Sequence, residues 1–189
     1  PLRNVTNFAQ MLRRRYQGKL DADADEFIAF ITAGVDRMHK LVEGLRSYTE
    51  LGRTRFPAPV VDPNAVLDEV VRDLRTALAE SGGRVESEPL LPVHAHSVQL
   101  SQVFQNLIGN ALKYRKDTEP PRVHVSAEAD GPMWKFSVAD NGIGITQEFH
   151  RKIFGVFKRL HVGTDSYAGT GVGLAICQRI VERYGGRIW

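Results

Sequence analysis

A chain of 189 residues has room for one or two domains, and 42% hydrophobic with 25% charged residues is the ordinary make-up of a soluble globular protein. The formal net charge of +3, from 25 basic against 22 acidic side chains, is too small and dispersed to indicate nucleic acid or a membrane surface; Arg13-Arg14-Arg15, the only basic cluster, reads as a solvated helix face. A single cysteine, Cys177, excludes an internal disulfide and fits a reducing, cytoplasmic setting, and no apolar run approaches the ~20 residues of a membrane helix. With no initiator Met, Pro1 inside a helical pattern and Trp189 at the onset of a strand, the chain reads as a piece of a longer one.

In chain order, Leu2, Val5, Phe8, Ala9 and Leu12 stand at helical spacing, and a polar break from Gly18 to Asp25 follows. The next helix runs from about Ala22 to Leu51, with Ile31, Val35, Met38, Val42 and Leu45 forming an a/d seam. A helix that long cannot bury its stripe against the short first helix alone, so two such hairpins from two chains should form a four-helix bundle. His39, between Met38 and Lys40, reads as a surface residue. Pro57, Pro59 and Pro63 mark residues 53–63 as a linker between a hairpin domain, 1–52, and a second domain, 64–189.

Asn64 is a good N-cap for an amphipathic helix that ends at Gly82-Gly83. Short strands follow around Val85 and Val93, and His94 and His96 face one way if on a strand, though without the carboxylate or third His of a metal site. From about Ser97 to Tyr114 a helix carries Leu100, Val103, Phe104, Leu107, Ile108 and Ala111 on one side and Asn106, Asn110 and Lys113 in a column on the other. Asparagine is a poor interior helix former, so two of them in one column speak for a functional role. Amide oxygens suit a Mg²⁺ that keeps several waters and bridges phosphates, and Lys adds a positive charge beside it.

Residues 122–129 and 133–139 pair as a hairpin across Asp130-Gly131. The second strand delivers Asp140 to the loop Asp140-Asn141-Gly142-Ile143-Gly144-Ile145, whose two glycines let the backbone approach a flat ligand while the carboxylate accepts a hydrogen bond from an exocyclic amine such as that of adenine. Residues 148–157 form short helical turns whose Phe154 and Phe157 should pack under the segment that follows, Lys158 and Arg159 then aim charge at phosphates, and residues 161–168 form a lid. Gly169-Thr170-Gly171-Val172-Gly173 opens a final helix whose unobstructed amides suit phosphate; a dinucleotide-binding βαβ unit is disfavoured because the strand ahead of these glycines and the acidic residue ~20 positions after them are missing.

In this order, residues 106–115, 140–145, 153–161 and 169–176 resemble the N, G1, F and G2 boxes of the sensor histidine kinase ATP-binding domain, kin to gyrase, Hsp90 and MutL. Pro1-Leu2-Arg3-Asn4-Val5 is similar to the end of the H box of a dimerisation and phosphotransfer hairpin, and residues 153–161 with 169–189 are most similar to the kinase modules of bacterial phytochromes and related PAS or GAF sensors. The resemblance implies an α+β chain: a helical hairpin, then an α/β sandwich of the Bergerat or GHKL ATPase type with a mixed, largely antiparallel sheet. It implies a protein-histidine kinase that moves the γ-phosphoryl of Mg-ATP to a His and then to an Asp of a response-regulator receiver domain, acting as a homodimer under a sensor domain. The phosphoacceptor His would stand just before Pro1, so these residues alone should not autophosphorylate.

The implied ATP site comprises Asn106, Asn110, Lys113, Tyr114, Arg115, Asp140, Gly142, Ile143, Gly144, Phe154, Phe157, Gly169, Thr170, Gly171, Gly173 and Leu174. Asn110, supported by Asn106, would hold Mg²⁺, Tyr114 and Arg115 would flank the nucleotide, and Lys158 and Arg159 would meet the transferring phosphoryl group. Where the gyrase and Hsp90 branch places a Glu that activates water, this chain has Asn106, which cannot take up a proton. Two alternatives stand beside the kinase: a GHKL-type ATPase of the Hsp90 or MutL class, and a nucleotide-insensitive dimerisation module. The segment 87–96 departs from the acidic one such domains carry ahead of the N box, and the closing strand hairpin expected after Trp189 is not in these residues.

Overall fold

The computed structural model describes residues 2–50, 58–158 and 170–189, which fall into two compact units, one ending at Glu50 and one containing the rest. In the first unit, α1 (Leu2–Tyr16) packs on α2 (Ala22–Glu50) across a short turn. The turn is held by acidic side chains: Asp21 accepts from the Ala24 amide at 2.9 Å, and the Asp25 carboxylate accepts from the Gly18 amide at 2.9 and 3.0 Å. Ala9 and Val35 are buried between the helices, whereas Phe8, Phe27, Phe30, Val42 and other large apolar side chains stay exposed, Phe30 at 73%. At 29 residues, α2 is roughly 44 Å long, and α1 covers only part of it. His39 is on the surface, 3.5 Å from Glu43.

The second unit begins with β1 (Val60–Val61), α3 (Pro63–Asp73), α4 (Arg75–Ser81), β2 (Arg84–Ser87), β3 (Val93–His94) and α5 (Ser97–Lys113). It continues with the hairpin β4 (Arg122–Asp130) and β5 (Met133–Asp140), two 3₁₀ turns (Gln147–Phe149 and Lys152–Phe154) and α6 (Gly173–Arg183). β2 runs parallel to β4 and β4 antiparallel to β5, giving a mixed sheet in the order β2-β4-β5, while β1 and β3 form a separate antiparallel pair. The register Val123↔Asp140, Val125↔Val138, Ala127↔Phe136 puts these six side chains on one face of the sheet. Val123 and Val125 on that face join Val66, Val70, Phe104 and Ile108 in one core, and Phe136 meets Phe104 edge-on at 6.2 Å. Helices α3 and α5 therefore cover the face on which Asp140 is the last residue of β5.

Several elements differ from the sequence expectations. The helix N-cap is Asp62, whose carboxylate accepts from the Asn64 amide at 2.9 Å; Asn64 lies in the first turn, donating to the Leu90 carbonyl at 2.7 Å and accepting from the Leu90 amide at 2.9 Å. The single helix expected up to Gly82 breaks at Leu74, where φ is −86° and ψ 3°, although its end at a left-handed Gly82 is as expected. Residues 58–63, expected as linker, belong to the second unit: the Pro59 carbonyl accepts from Ala95 at 3.0 Å and Val60 and Val61 pair with His94 and Val93, bonds that need no Pro N–H. His94 ends β3 and His96 is the N-cap of α5, so the two do not share a strand face; among the described residues no cluster of three metal-ligating side chains exists.

Candidate functional site

Asp140 leaves β5 into a loop whose form is fixed by its own hydrogen bonds. The carboxylate accepts from the Gly142 amide at 2.7 Å, and the next amide, of Ile143, donates to the Tyr114 carbonyl at the end of α5 at 3.0 Å. Asn141 anchors the loop's other side, accepting from the Arg122 amide at 2.8 Å and donating to the Pro120 carbonyl at 3.1 Å. Gly142 is where a side chain has no room: a Cβ there would stand 2.6 Å from both Asp140 Oδ1 and the Tyr114 carbonyl oxygen. The strand end and the helix end are thus locked together, with Asp140 exposed at the junction.

The polar column expected on α5 divides into three directions. Asn110 lines a cavity of about 1130 Å³ between α5, β5 and α6. Asn106 faces α6 instead: its Oδ1 is 2.7 Å from where a Cβ on Gly173 would sit, and its carboxamide acts on the Cys177 thiol, offsetting part of the upward push of burial. Lys113 folds over its neighbour, with Nζ donating to the Tyr114 hydroxyl at 2.8 Å and standing 4.4 Å from the ring centre. Arg115 turns back to donate to the Leu112 carbonyl at 3.0 Å, a helix-terminal contact rather than a cavity one.

On the far wall, Thr170, Gly171 and Val172 precede α6, so the helix starts at Gly173, later than the expected opening at Gly169. Leu174 lines the cavity, and Val172, Ile176, Cys177 and Ile180 are buried, Cys177 completely. Burial pushes the Cys177 thiol up to about 12, so it is a packed apolar group and no nucleophile. Phe157 lies in the left-handed region at φ 63°, held there by its amide donating to the Gly171 carbonyl at 2.9 Å. Phe157 is 56% exposed and Phe154 lines the cavity beside Lys158; the segment under which the two are expected to pack lies outside the described residues.

Of the residues singled out in the sequence, Asn110, Tyr114, Asp140, Ile143, Gly144, Phe154, Lys158 and Leu174 line this one cavity. Asn106, Lys113, Arg115, Gly142, Phe157, Thr170, Gly171 and Gly173 are not among its lining, and Arg159, Gly169 and the lid at 161–168 lie outside the described residues. Sequence reasoning passed over the apolar lining, Leu107, Val138, Ile145 and Ile153. Val138 stands two residues before Asp140 and Ile145 one after Gly144, a signal that an apolar slot accompanies the carboxylate.

With this geometry in place, the comparisons with known proteins are specific. Residues 95–189 match the model of the family described as histidine kinase-, DNA gyrase B-, and HSP90-like ATPase. Cyanobacterial phytochrome A of Nostoc sp. is 45% identical over the whole chain, which covers 24% of that protein, and the phytochrome-like protein Cph1 of Synechocystis sp. is 39% identical over the whole chain and 25% of its own length. The crystal structure of full-length ShkA in complex with AMPPNP superposes with a TM-score of 0.70 at 27% identity, over 98% of this chain and 38% of that one. The chain spans about a quarter of the length of these curated relatives. By its matched domain, the protein belongs to the family of histidine kinase-, DNA gyrase B- and HSP90-like ATPases.

Proposed function

We propose that the cavity is a Mg-ATP site and that the parent protein is a sensor histidine kinase. The observation that carries the reading is the convergence of Asp140, Asn110 and Lys158 on one apolar-walled cavity, with the Asp140 loop locked to the end of α5 through Gly142 and Ile143. The fit is chemical as well as volumetric. An adenine needs a flat apolar slot with one acceptor for its amine, which Val138, Ile143, Ile145 and Asp140 supply, and a triphosphate needs cations and an oxygen ligand for its metal. Mg-ATP supplies the transferable phosphoryl group and neutralises its charge; Asn110 would hold the metal, and Lys158, with Lys113 released from Tyr114, would meet the phosphates.

The rest of the reaction follows from what position 106 lacks. An amide cannot activate water, so the site keeps ATP intact for an outside nucleophile, a His of the dimerisation hairpin, and from there the phosphoryl passes to an Asp of a response regulator. The exposed apolar residues of α1 and α2, among them Phe8, Phe27, Phe30 and Val42, form the surface for a second copy of the hairpin in a homodimer. The similarity to phytochromes supports a sensor domain of phytochrome, PAS or GAF type upstream and a cytoplasmic kinase module; among the described residues no helix is long and apolar enough to cross a membrane. Calorimetric titration of this chain with Mg-ADP tests the site. Saturable one-to-one binding, weakened in Asp140→Asn, is expected, whereas no binding, or steady release of phosphate from ATP, contradicts the reading.

A further inference from the structure

We infer that Asn106 is a positioning residue, which fixes the first turn of α6 against α5 and thereby sets the width of the cavity, and is no ligand of metal or phosphate. The inference rests on the reading of the cavity as a Mg-ATP site. Asn106 and Asn110 are one turn apart on α5, but only Asn110 lines the cavity. Asn106 is spent on α6: its Oδ1 and Cγ would stand 2.7 and 3.3 Å from a Cβ on Gly173, so its carboxamide fills the space in front of that glycine. Cys177 Sγ in turn faces the Val103 carbonyl at 4.0 Å, so Val103 and Asn106 on one helix meet Gly173 and Cys177 on the other. Two small residues at helical spacing allow this approach.

The consequence reaches the opposite wall. Helix α6 starts without a side-chain cap, from the buried Val172, so its first turn depends on what packs against it. Just ahead of it, the Gly171 carbonyl holds the amide of Phe157, which fixes the strained turn that places Lys158 at the cavity. A shift of Gly173 away from Asn106 therefore moves Leu174 and Lys158 together relative to Asn110.

A double-mutant cycle on this chain tests the role, read by calorimetric titration with ADP in Mg²⁺ and in EDTA and by thermal melting without nucleotide. Gly173→Ala puts a methyl 2.7 Å from Asn106 Oδ1 and should weaken ADP binding about tenfold, while in the Asn106→Ala background the same change should cost about twofold or less. Asn106→Ala should weaken ADP by the same factor in both buffers, leaving the gain from Mg²⁺ intact, whereas Asn110→Ala should abolish that gain. Equal cost of Gly173→Ala in both backgrounds, or loss of the Mg²⁺ gain in Asn106→Ala, overturns the inference. If Gly173→Ala alone fails to fold, recovery of folding in the double variant upholds the contact and persistent unfolding refutes it. Failure of the unaltered chain to bind ADP in either buffer overturns the reading of the site instead, and the melting cycle still decides the contact.

Discussion

Replacing Gly142 by Ala is the most direct probe of how the strand end is locked to the helix end. The added methyl would sit 2.6 Å from the Tyr114 carbonyl oxygen and 2.6 Å from Asp140 Oδ1, well inside any tolerated carbon–oxygen contact. Asp140 can swing away only by giving up the Gly142 amide, a 2.7 Å bond, and the Tyr114 carbonyl is backbone that cannot swing at all. The loop must retreat, and the 3.0 Å bond from Ile143 to Tyr114 breaks as well. Two lost hydrogen bonds at about 1 kcal/mol each, with about 1 kcal/mol of residual crowding, give roughly 3 kcal/mol. If that falls on the occupied site, ADP affinity drops about a hundredfold. Gly144→Ala is the comparison for folding: φ is 74° but nothing lies within 4 Å, so in the nucleotide-free chain only the left-handed backbone is penalised, at about 1 kcal/mol. Melting curves without nucleotide should rank Gly142→Ala well below Gly144→Ala, and calorimetric titration with Mg-ADP should show the loss of about a hundredfold in Gly142→Ala. Equal effects, or unchanged affinity in Gly142→Ala, would refute the locking argument.

Asp140→Asn keeps an oxygen for the Gly142 amide but removes the charge facing the ligand, so ADP affinity should fall by about one to two orders of magnitude while the melting temperature moves little; equal loss of both would remove the adenine assignment. Tyr184→Phe deletes a hydroxyl that donates to Gln99 Oε1 at 2.5 Å and accepts from the His96 amide at 2.9 Å, at an expected cost of about 2 kcal/mol in chemical denaturation. Cys177 should resist thiol reagents at pH 8 until the chain unfolds. Because its folded value of about 12 lies above that of the unfolded chain, the folded state keeps a proton that the unfolded state releases, so stability should decline as pH rises from about 9 toward 12. A Cys177→Ala variant should show a shallower decline, and an identical one would exclude the thiol as its source.

What could be read from the sequence was whatever one element decides by itself. The helix α2, the apolar side of α5 and the hairpin turn at Gly131 each follow from spacing or turn chemistry within a few residues. The break at Leu74 carries no Gly or Pro to announce it, and nothing near Asn64 in the chain reveals that its partners are at Leu90, 26 residues away. Within the site, the Asp140 loop was legible because glycine spacing and the preceding strand are local. The parting of Asn106 from Asn110 was not: the two differ by only about 40° around the helix, and the packing of α6, far along the chain, decides which one faces the cavity. The left-handed backbone of Phe157 has the same origin, since it is set by the Gly171 carbonyl and not by its neighbours in sequence.

Everything proposed for this pocket turns on its delivering phosphoryl to a histidine and not to water. Incubating the full-length protein with Mg²⁺ and ATP labelled in the γ-phosphate, then splitting the sample between acid and base, decides between the two in one step. Label on the protein that is lost in acid and kept in base, the behaviour of a phosphohistidine, is the expected result. An unlabelled protein with labelled phosphate accumulating in solution would contradict it, and would show that an amide at Asn106 does not leave ATP unhydrolysed.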